Sequence, residues 1–127
     1  GCEVTTLGAS SVVRLGIRAD NGFGFPGDLI LDAGTVDAST ASAKEITIAQ
    51  WLQPGLYWLS ATVQVAACSV RILQGYLPPV GAGTLANATA TTGANAYYAA
   101  SITGALPATF TVTGTTSGGT LTVLRAA

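Results

Sequence analysis

Val12-Val13-Arg14-Leu15-Gly16-Ile17-Arg18 alternates its side chains with a period of two. In an extended chain, successive side chains point to opposite faces. Val13, Leu15 and Ile17 therefore share one face, and Arg14 and Arg18 share the other. The same rule reads strands elsewhere. In Lys44-Glu45-Ile46-Thr47-Ile48, the two isoleucines oppose Glu45 and Thr47. From Leu56 to Val65, Tyr57, Leu59, Ala61, Val63 and Val65 form one face, and Trp58, Ser60, Thr62 and Gln64 the other. Val70 and Ile72 oppose Ser69 and Arg71. Phe110 and Val112 alternate with Thr109, Thr111 and Thr113, and Leu121 and Val123 with Thr120 and Thr122. Many of these positions are β-branched, and a branched Cβ packs well on a pleated, half-buried surface. Ile46 and Leu59 read as core residues.

Turn signals separate these runs. Gly22-Phe23-Gly24-Phe25-Pro26-Gly27 and Gln53-Pro54-Gly55 combine permissive dihedrals with a fixed φ. Ser117-Gly118-Gly119 reads as a hairpin turn between two alternating strands. The best helical stretch, Ala41 to Leu52, gathers its apolar residues on no single stripe. Short strands with turn punctuation and no helices predict one all-β domain over residues 1–127, an antiparallel β-sandwich. The order we expect is jelly-roll-like; an immunoglobulin-like order fits the sequence as well.

The 127 residues suffice for a single core. Charged residues make up 9%, far below the usual quarter, and the net charge is −1. No basic surface is large enough to neutralise a run of phosphates, which argues against nucleic acid as a partner. There is no His, so every Ser-His or Cys-His nucleophile pair is excluded. There is no Met either, so the chain reads as a processed product or a piece of a longer protein. No apolar run reaches the length of a membrane span, and membrane insertion is not expected. Cys2 and Cys68 read as two separate thiols, since two cysteines do not make a disulfide framework.

Residues 75–107 differ from the rest. They are rich in Ala, Thr and Gly, and no charge occurs between Arg71 and Arg125. Structureless loops of that length are uncommon in compact domains. Short strands are expected at Ala86 to Thr92 and Ala96 to Thr103. The stretch reads equally as a subunit-contact or ligand-facing segment and as a neutral surface loop.

Candidate chemistry is sparse. Asp20 and Asp28 bracket one turn, and Asp32 and Asp37 bracket Gly34. Paired carboxylates hydrolyse glycosides when one has a raised pKa, and nothing in the sequence supplies that. Asp in turns ordinarily bonds its own backbone two residues on. Asp20-Asn21-Gly22 and Gly27-Asp28 carry oxygen donors suited to Ca²⁺ but not the spacing of a known loop. The expectation is no catalytic residue, no metal and no cofactor. The aromatic side chains offer more, because a flat ring stacks on the apolar face of a sugar. Tyr57 lies in the apolar register and is assigned to the core. Trp51, Trp58, Tyr97 and Tyr98 are the candidate ligand or glycan contacts. Phe23 and Phe25 sit in a turn that folds back over a sandwich edge.

Three stretches carry a resemblance. They are Arg14-Leu15-Gly16-Ile17-Arg18-Ala19-Asp20-Asn21-Gly22 continuing into Pro26-Gly27-Asp28-Leu29-Ile30-Leu31-Asp32-Ala33-Gly34-Thr35-Val36; then Leu52-Gln53-Pro54-Gly55-Leu56-Tyr57-Trp58-Leu59; and Gly104-Ala105-Leu106-Pro107-Ala108-Thr109-Phe110. Together they resemble β-sandwich domains of bacteriophage tail and fibre proteins. The resemblance implies a non-enzymatic virion structural protein that contributes to assembly and host-surface attachment. It implies a homo-oligomer, a trimer by preference, whose partners are other virion proteins and a host cell-surface glycan. Similar strand-turn-strand patterns occur in secreted bacterial domains. The alternative is therefore an extracellular carbohydrate-binding β-sandwich module of a larger bacterial protein.

Overall fold

A computed structural model describes residues 1–74, 96–99, 102–116 and 118–125. Among these residues there is no helix. The strands, in chain order, are β1 (Cys2–Thr6), β2 (Val12–Asp20), β3 (Pro26–Asp37), β4 (Ser42–Lys44), β5 (Tyr57–Gln64), β6 (Ser69–Val70), β7 (Ile72–Gln74), β8 (Ala96–Tyr98), β9 (Gly114–Thr116) and β10 (Gly118–Thr120). Every pairing is antiparallel. The central sheet has the order β3-β2-β5, and a second sheet has the order β4-β1-β6. The chain passes from one sheet to the other between β1 and β2, β3 and β4, β4 and β5, and β5 and β6. Within these two sheets, β2 and β3 form a hairpin. That repeated crossing is the jelly-roll-like habit of this all-β sandwich.

The alternation in β2 sets the core. Val13 and Leu15 are buried, and they meet Cys2 and Val4 of β1 across the layers. Ala33, Val36, Ala61, Val63, Cys68 and Val70 close the cluster, with Ala38 buried inside it. Ile17, two residues further on, is buried on the same face of β2. Ile46 packs against the cluster as expected, whereas Leu59 is only half-buried and stands outside it. Both cysteines are free thiols. Burial pushes the Cys2 thiol up, as expected for a sulfur placed among aliphatic side chains.

A bulge changes the face of one acid. Leu15 pairs with Gly34, but Gly16 pairs with Asp32, so Ala33 is an extra residue in β3. Gly34 has φ 86, which glycine adopts without strain. Without the extra residue, strict alternation would turn Asp32 toward the core. With it, Asp32 stands on the outer face beside Arg14, which grips it through Nη1 at 2.9 and 2.8 Å.

The edges of the pattern depart from expectation. Val65 does not continue the β5 face: it has φ 72 and is 82% exposed, because the chain turns there toward the second sheet. The strand expected at Lys44 to Ile48 ends at Lys44. Of the expected strand at Ala96 to Thr103, the described residues form a strand over Ala96–Tyr98, and the one expected at Ala86 to Thr92 lies outside the described residues. Thr109 to Thr113 is not a strand, and Val112 is exposed. The segment around Gly118 is not a hairpin. β9 pairs with β8 and β10 pairs with β7, so the chain changes partner between them. Backbone bonds then carry the C-terminal segment onto the second sheet. Leu121 N–H donates to Arg71 O, and Gly1 and Val123 exchange a reciprocal pair. The chain ends are thereby fastened to each other.

Candidate ligand-binding site

The outer face of the central sheet carries the even-numbered residues of β2 and β5: Arg14, Gly16 and Arg18 opposite Thr62, Ser60 and Trp58. In a two-layer sandwich this face would meet water. Here residues 102–110 lie across it as a strap, and polar side chains of the sheet hold the strap by its backbone. Gln64 Nε2 donates to Ile102 O at 3.1 Å and Gly104 O at 2.8 Å. Leu106 N–H donates to Asp32 Oδ2 at 2.9 Å, and Leu29 N–H to Ala108 O at 2.7 Å. Arg18 Nη2 donates to Pro107 O at 2.8 Å, and Nη1 makes longer bonds to Gly27 O and Ala108 O. A strap without regular secondary structure has no ladder to satisfy its carbonyls, so side chains do it.

Gly16 sets how close the strap comes. A Cβ placed there would lie 2.3 Å from Leu106 Cδ1, 2.9 Å from Leu31 O and 3.0 Å from Ser60 Oγ. Leu106 thus occupies the space a side chain at position 16 would fill.

The strap leaves a cavity of about 520 Å³ beside it. Its walls include Arg18, Trp58, Ser60 and Thr62 from the sheet, Tyr97 and Tyr98 from β8, and Phe110 and Leu121 from the C-terminal region. Trp58 Nε1 donates to Asp20 Oδ1 at 2.8 Å, which fixes the indole. Tyr97 meets Trp58 edge-on at 5.5 Å between centroids, and stacks on Phe25 at 4.9 Å. The three rings form one rigid cluster at the end of the sheet where the β2–β3 turn folds back. Phe25 makes the expected return over the edge; its neighbour Phe23 does not, and is 85% exposed.

Electrostatics follow from these contacts. The Trp58 indole, with help from the Gly22 and Gly24 amides, holds the Asp20 carboxyl below its usual range. Burial draws Asp32 upward, but the amides of Leu106 and Gly34 and the Arg14 guanidinium outweigh it and leave the carboxyl lowered. Asp37 is lowered by the Ser39 hydroxyl and amide. The amides of Gly22, Gly34 and Ser39 are the local Asx contacts read from the sequence, and the long-range donors add to them; together they keep the acids ionised and unsuited to donating a proton. Burial and the nearby Asp20 charge raise the Tyr97 phenol. Burial pulls the Arg18 guanidinium down, opposed by the charges of Asp28 and Asp32. Its Cζ lies 5.1 Å from the centroid of Phe110.

Of the four aromatic candidates, the fold brings Trp58, Tyr97 and Tyr98 to this one cavity. Trp51 stands apart, 80% exposed and outside the cavity. Arg18 and Ser60 were not legible as site residues. Alternation places them on the outer face, but only the strap, distant in sequence, turns that face into an interior. No cluster of three or more metal-ligating side chains occurs among the described residues. Compared with protein families, curated proteins and solved structures, the chain finds no match in any of the three.

Proposed function

We propose that the chain is a non-enzymatic domain of a bacteriophage tail or fibre, contributing to particle assembly and binding a host-surface saccharide through the cavity on its outer face. The observation that carries this reading is the cavity wall. An indole fixed by Asp20 and a tyrosine wedged between Trp58 and Phe25 offer rigid rings, and Ser60 and Thr62 stand beside them on the same strand. Flat rings with adjacent hydroxyls suit a sugar, whose faces are apolar and whose rim is polar. A second support is spatial. The stretches that resemble tail and fibre domains fall on β2, β3, the start of β5 and the strap, which form one continuous body around that cavity.

The same cavity also favours the alternative, an extracellular carbohydrate-binding module. Assembly separates the two. Light scattering on the purified chain should give a homo-oligomer, a trimer by preference, for a fibre domain and a monomer for a binding module. A glycan array tests what they share. Trp58→Ala should abolish any saccharide signal while Trp51→Ala preserves it. An array with no signal above background would overturn the saccharide reading in both.

A further inference from the structure

Arg18 sits in an unusual position for a cation. It is 1% exposed and lines the cavity, yet no carboxylate among the described residues forms an ion pair with it. The other cations are engaged: Arg14 with Asp32, Arg71 with Glu3, Arg125 with Glu45, and Lys44 with the Thr40 hydroxyl. The acids are engaged as well, except Asp28, which is exposed. Asp20 serves Trp58 and its own turn, and Asp37 serves Ser39. The far wall of the cavity cannot supply an anion, because no charged residue occurs between Arg71 and Arg125. A buried charge without an anionic partner is costly, and three backbone carbonyls and the Phe110 ring offset that only in part.

Two polar atoms in this wall are buried with no hydrogen-bond partner: Arg18 Nε and Ser60 Oγ. They belong to neighbouring positions on the same face, since Arg18 pairs with Trp58 and Gly16 with Ser60. A guanidinium N–H and a hydroxyl are both groups that a carboxylate satisfies, with one oxygen to each. A Cβ at position 16 would meet both Leu106 Cδ1 and Ser60 Oγ, which places the Leu106 side chain near the Ser60 hydroxyl.

We propose that the cavity takes the carboxylate of an acidic saccharide, anchored by Arg18 and Ser60, with the sugar ring held against Trp58 and Tyr97 and Leu106 yielding to admit the acid group. This rests on the reading of the cavity as a saccharide site and names the class of sugar. The probes are D-glucuronate and D-glucose, which share a ring and differ in the acid, titrated into the purified full chain by calorimetry or NMR. Glucuronate is expected to bind at least tenfold more tightly than glucose, the discrimination that one charge-assisted hydrogen bond supplies.

Arg18 also holds the strap, so the informative variant is Ser60→Ala. It removes an unpartnered buried hydroxyl, so the free protein should melt at the same temperature or higher. The same change should weaken glucuronate by roughly tenfold and leave glucose unaffected. Asp28→Asn, on the exposed acid that acts on Arg18 through space, should tighten glucuronate by roughly twofold and leave glucose unaffected. Equal binding of the two sugars, or unchanged glucuronate affinity in Ser60→Ala, would overturn the proposal, leaving an ordered water as the partner of both atoms. Binding of glucose alone would overturn it and leave the saccharide site standing. Binding of neither would overturn both.

Discussion

The two faces of β2 carry opposite chemistry and are both buried, by different means. On the inner face, Val13 and Leu15 pack closely with Cys2 and Val4 of the second sheet, and Ile17 is buried on the same side. On the outer face, Arg14, Gly16 and Arg18 lie under a strap that is gripped by its backbone. Apolar packing is non-directional and scales with area, so the inner face stabilises the whole sandwich. Hydrogen bonds to a strap are directional, few and individually modest, so the outer face fixes one segment in place. The difference predicts that the inner face governs global stability, and that the outer face governs local opening and access to the cavity.

The largest effect expected is from Leu15→Ala. Leu15 is buried in the central cluster, and removing its side chain should cost about 2–5 kcal/mol of unfolding free energy through lost transfer and the cavity left behind. Denaturant unfolding would measure this. A cost under 1 kcal/mol would mean that the second sheet does not depend on β2 for its core. That outcome would erase the contrast between the faces.

Gly16→Ala addresses the other face and should cost about 1–3 kcal/mol, as an added methyl does in a well-packed site. The new Cβ would collide with Leu106 Cδ1 and with Leu31 O. Leu106 can swing aside, so the strap should lift, whereas the Leu31 carbonyl belongs to β3, so the β2–β3 ladder should strain beside position 16. Hydrogen exchange would report this as lost protection at the Leu106 amide, with protection across β2 and β5 retained. Uniform loss of protection throughout would show that strap and sandwich open as one unit.

How far the sequence carried these inferences depends on range. The alternation in β2 and β5 identified Val13, Leu15, Ala61 and Val63 as one face, because a strand's two sides are set by neighbours two residues apart. The Asx contacts at Asp20, Asp32 and Asp37 were legible for the same local reason. Three features were not. The bulge that turns Asp32 outward depends on where β3 pairs, although Gly34 two residues after it was a sign. The alternation at Thr109 to Thr113 and Lys44 to Ile48 lacked partner strands, and period two alone does not make a ladder. Arg18 carried no sequence mark of burial, since its cover comes from Pro107 and Ala108, far along the chain. Trp58, Tyr97 and Tyr98 were identifiable as candidates by residue type, but their convergence, and the exclusion of Trp51, required the fold.

Acid should loosen the strap through Asp32. Asp32 ionised accepts from Leu106, Gly34 and Arg14, and its folded pKa is lowered from the ordinary 3.8. A depressed carboxyl contributes stability that is complete above its unfolded value and is lost as pH falls through the lower folded value. The strap should therefore stay closed at neutral and mildly acidic pH, and loosen as pH falls below the ordinary carboxylate range. Asp20 and Asp37 add stability of the same sign, so the Asp32 share is isolated by difference. Asp32→Asn should be less stable than the parent at pH 7 and show a shallower decline in acid. An identical acid slope in parent and variant would remove Asp32 as the pH-sensitive clasp.

The smallest expected effect compares the two tryptophans. Trp51 is 80% exposed and its ring enters no described ring contact, so Trp51→Ala should change stability by no more than about 0.5 kcal/mol, as surface substitutions usually do. Trp58→Ala removes the bond to Asp20 and the edge contact with Tyr97, against a range of about 3–5 kcal/mol for a fully packed core aromatic. Its half-buried position on the strapped face argues for a cost at or below the bottom of that range, because part of the ring borders the cavity and has no packing to lose. Intrinsic fluorescence separates the pair without a ligand. The Trp51→Ala variant reports Trp58 alone and should give the bluer, less quencher-accessible emission of a shielded indole. A red-shifted, freely quenched emission from that variant would mean that the strap does not cover the outer face in solution, and the distinction between the two sides of β2 would fail at its weaker side.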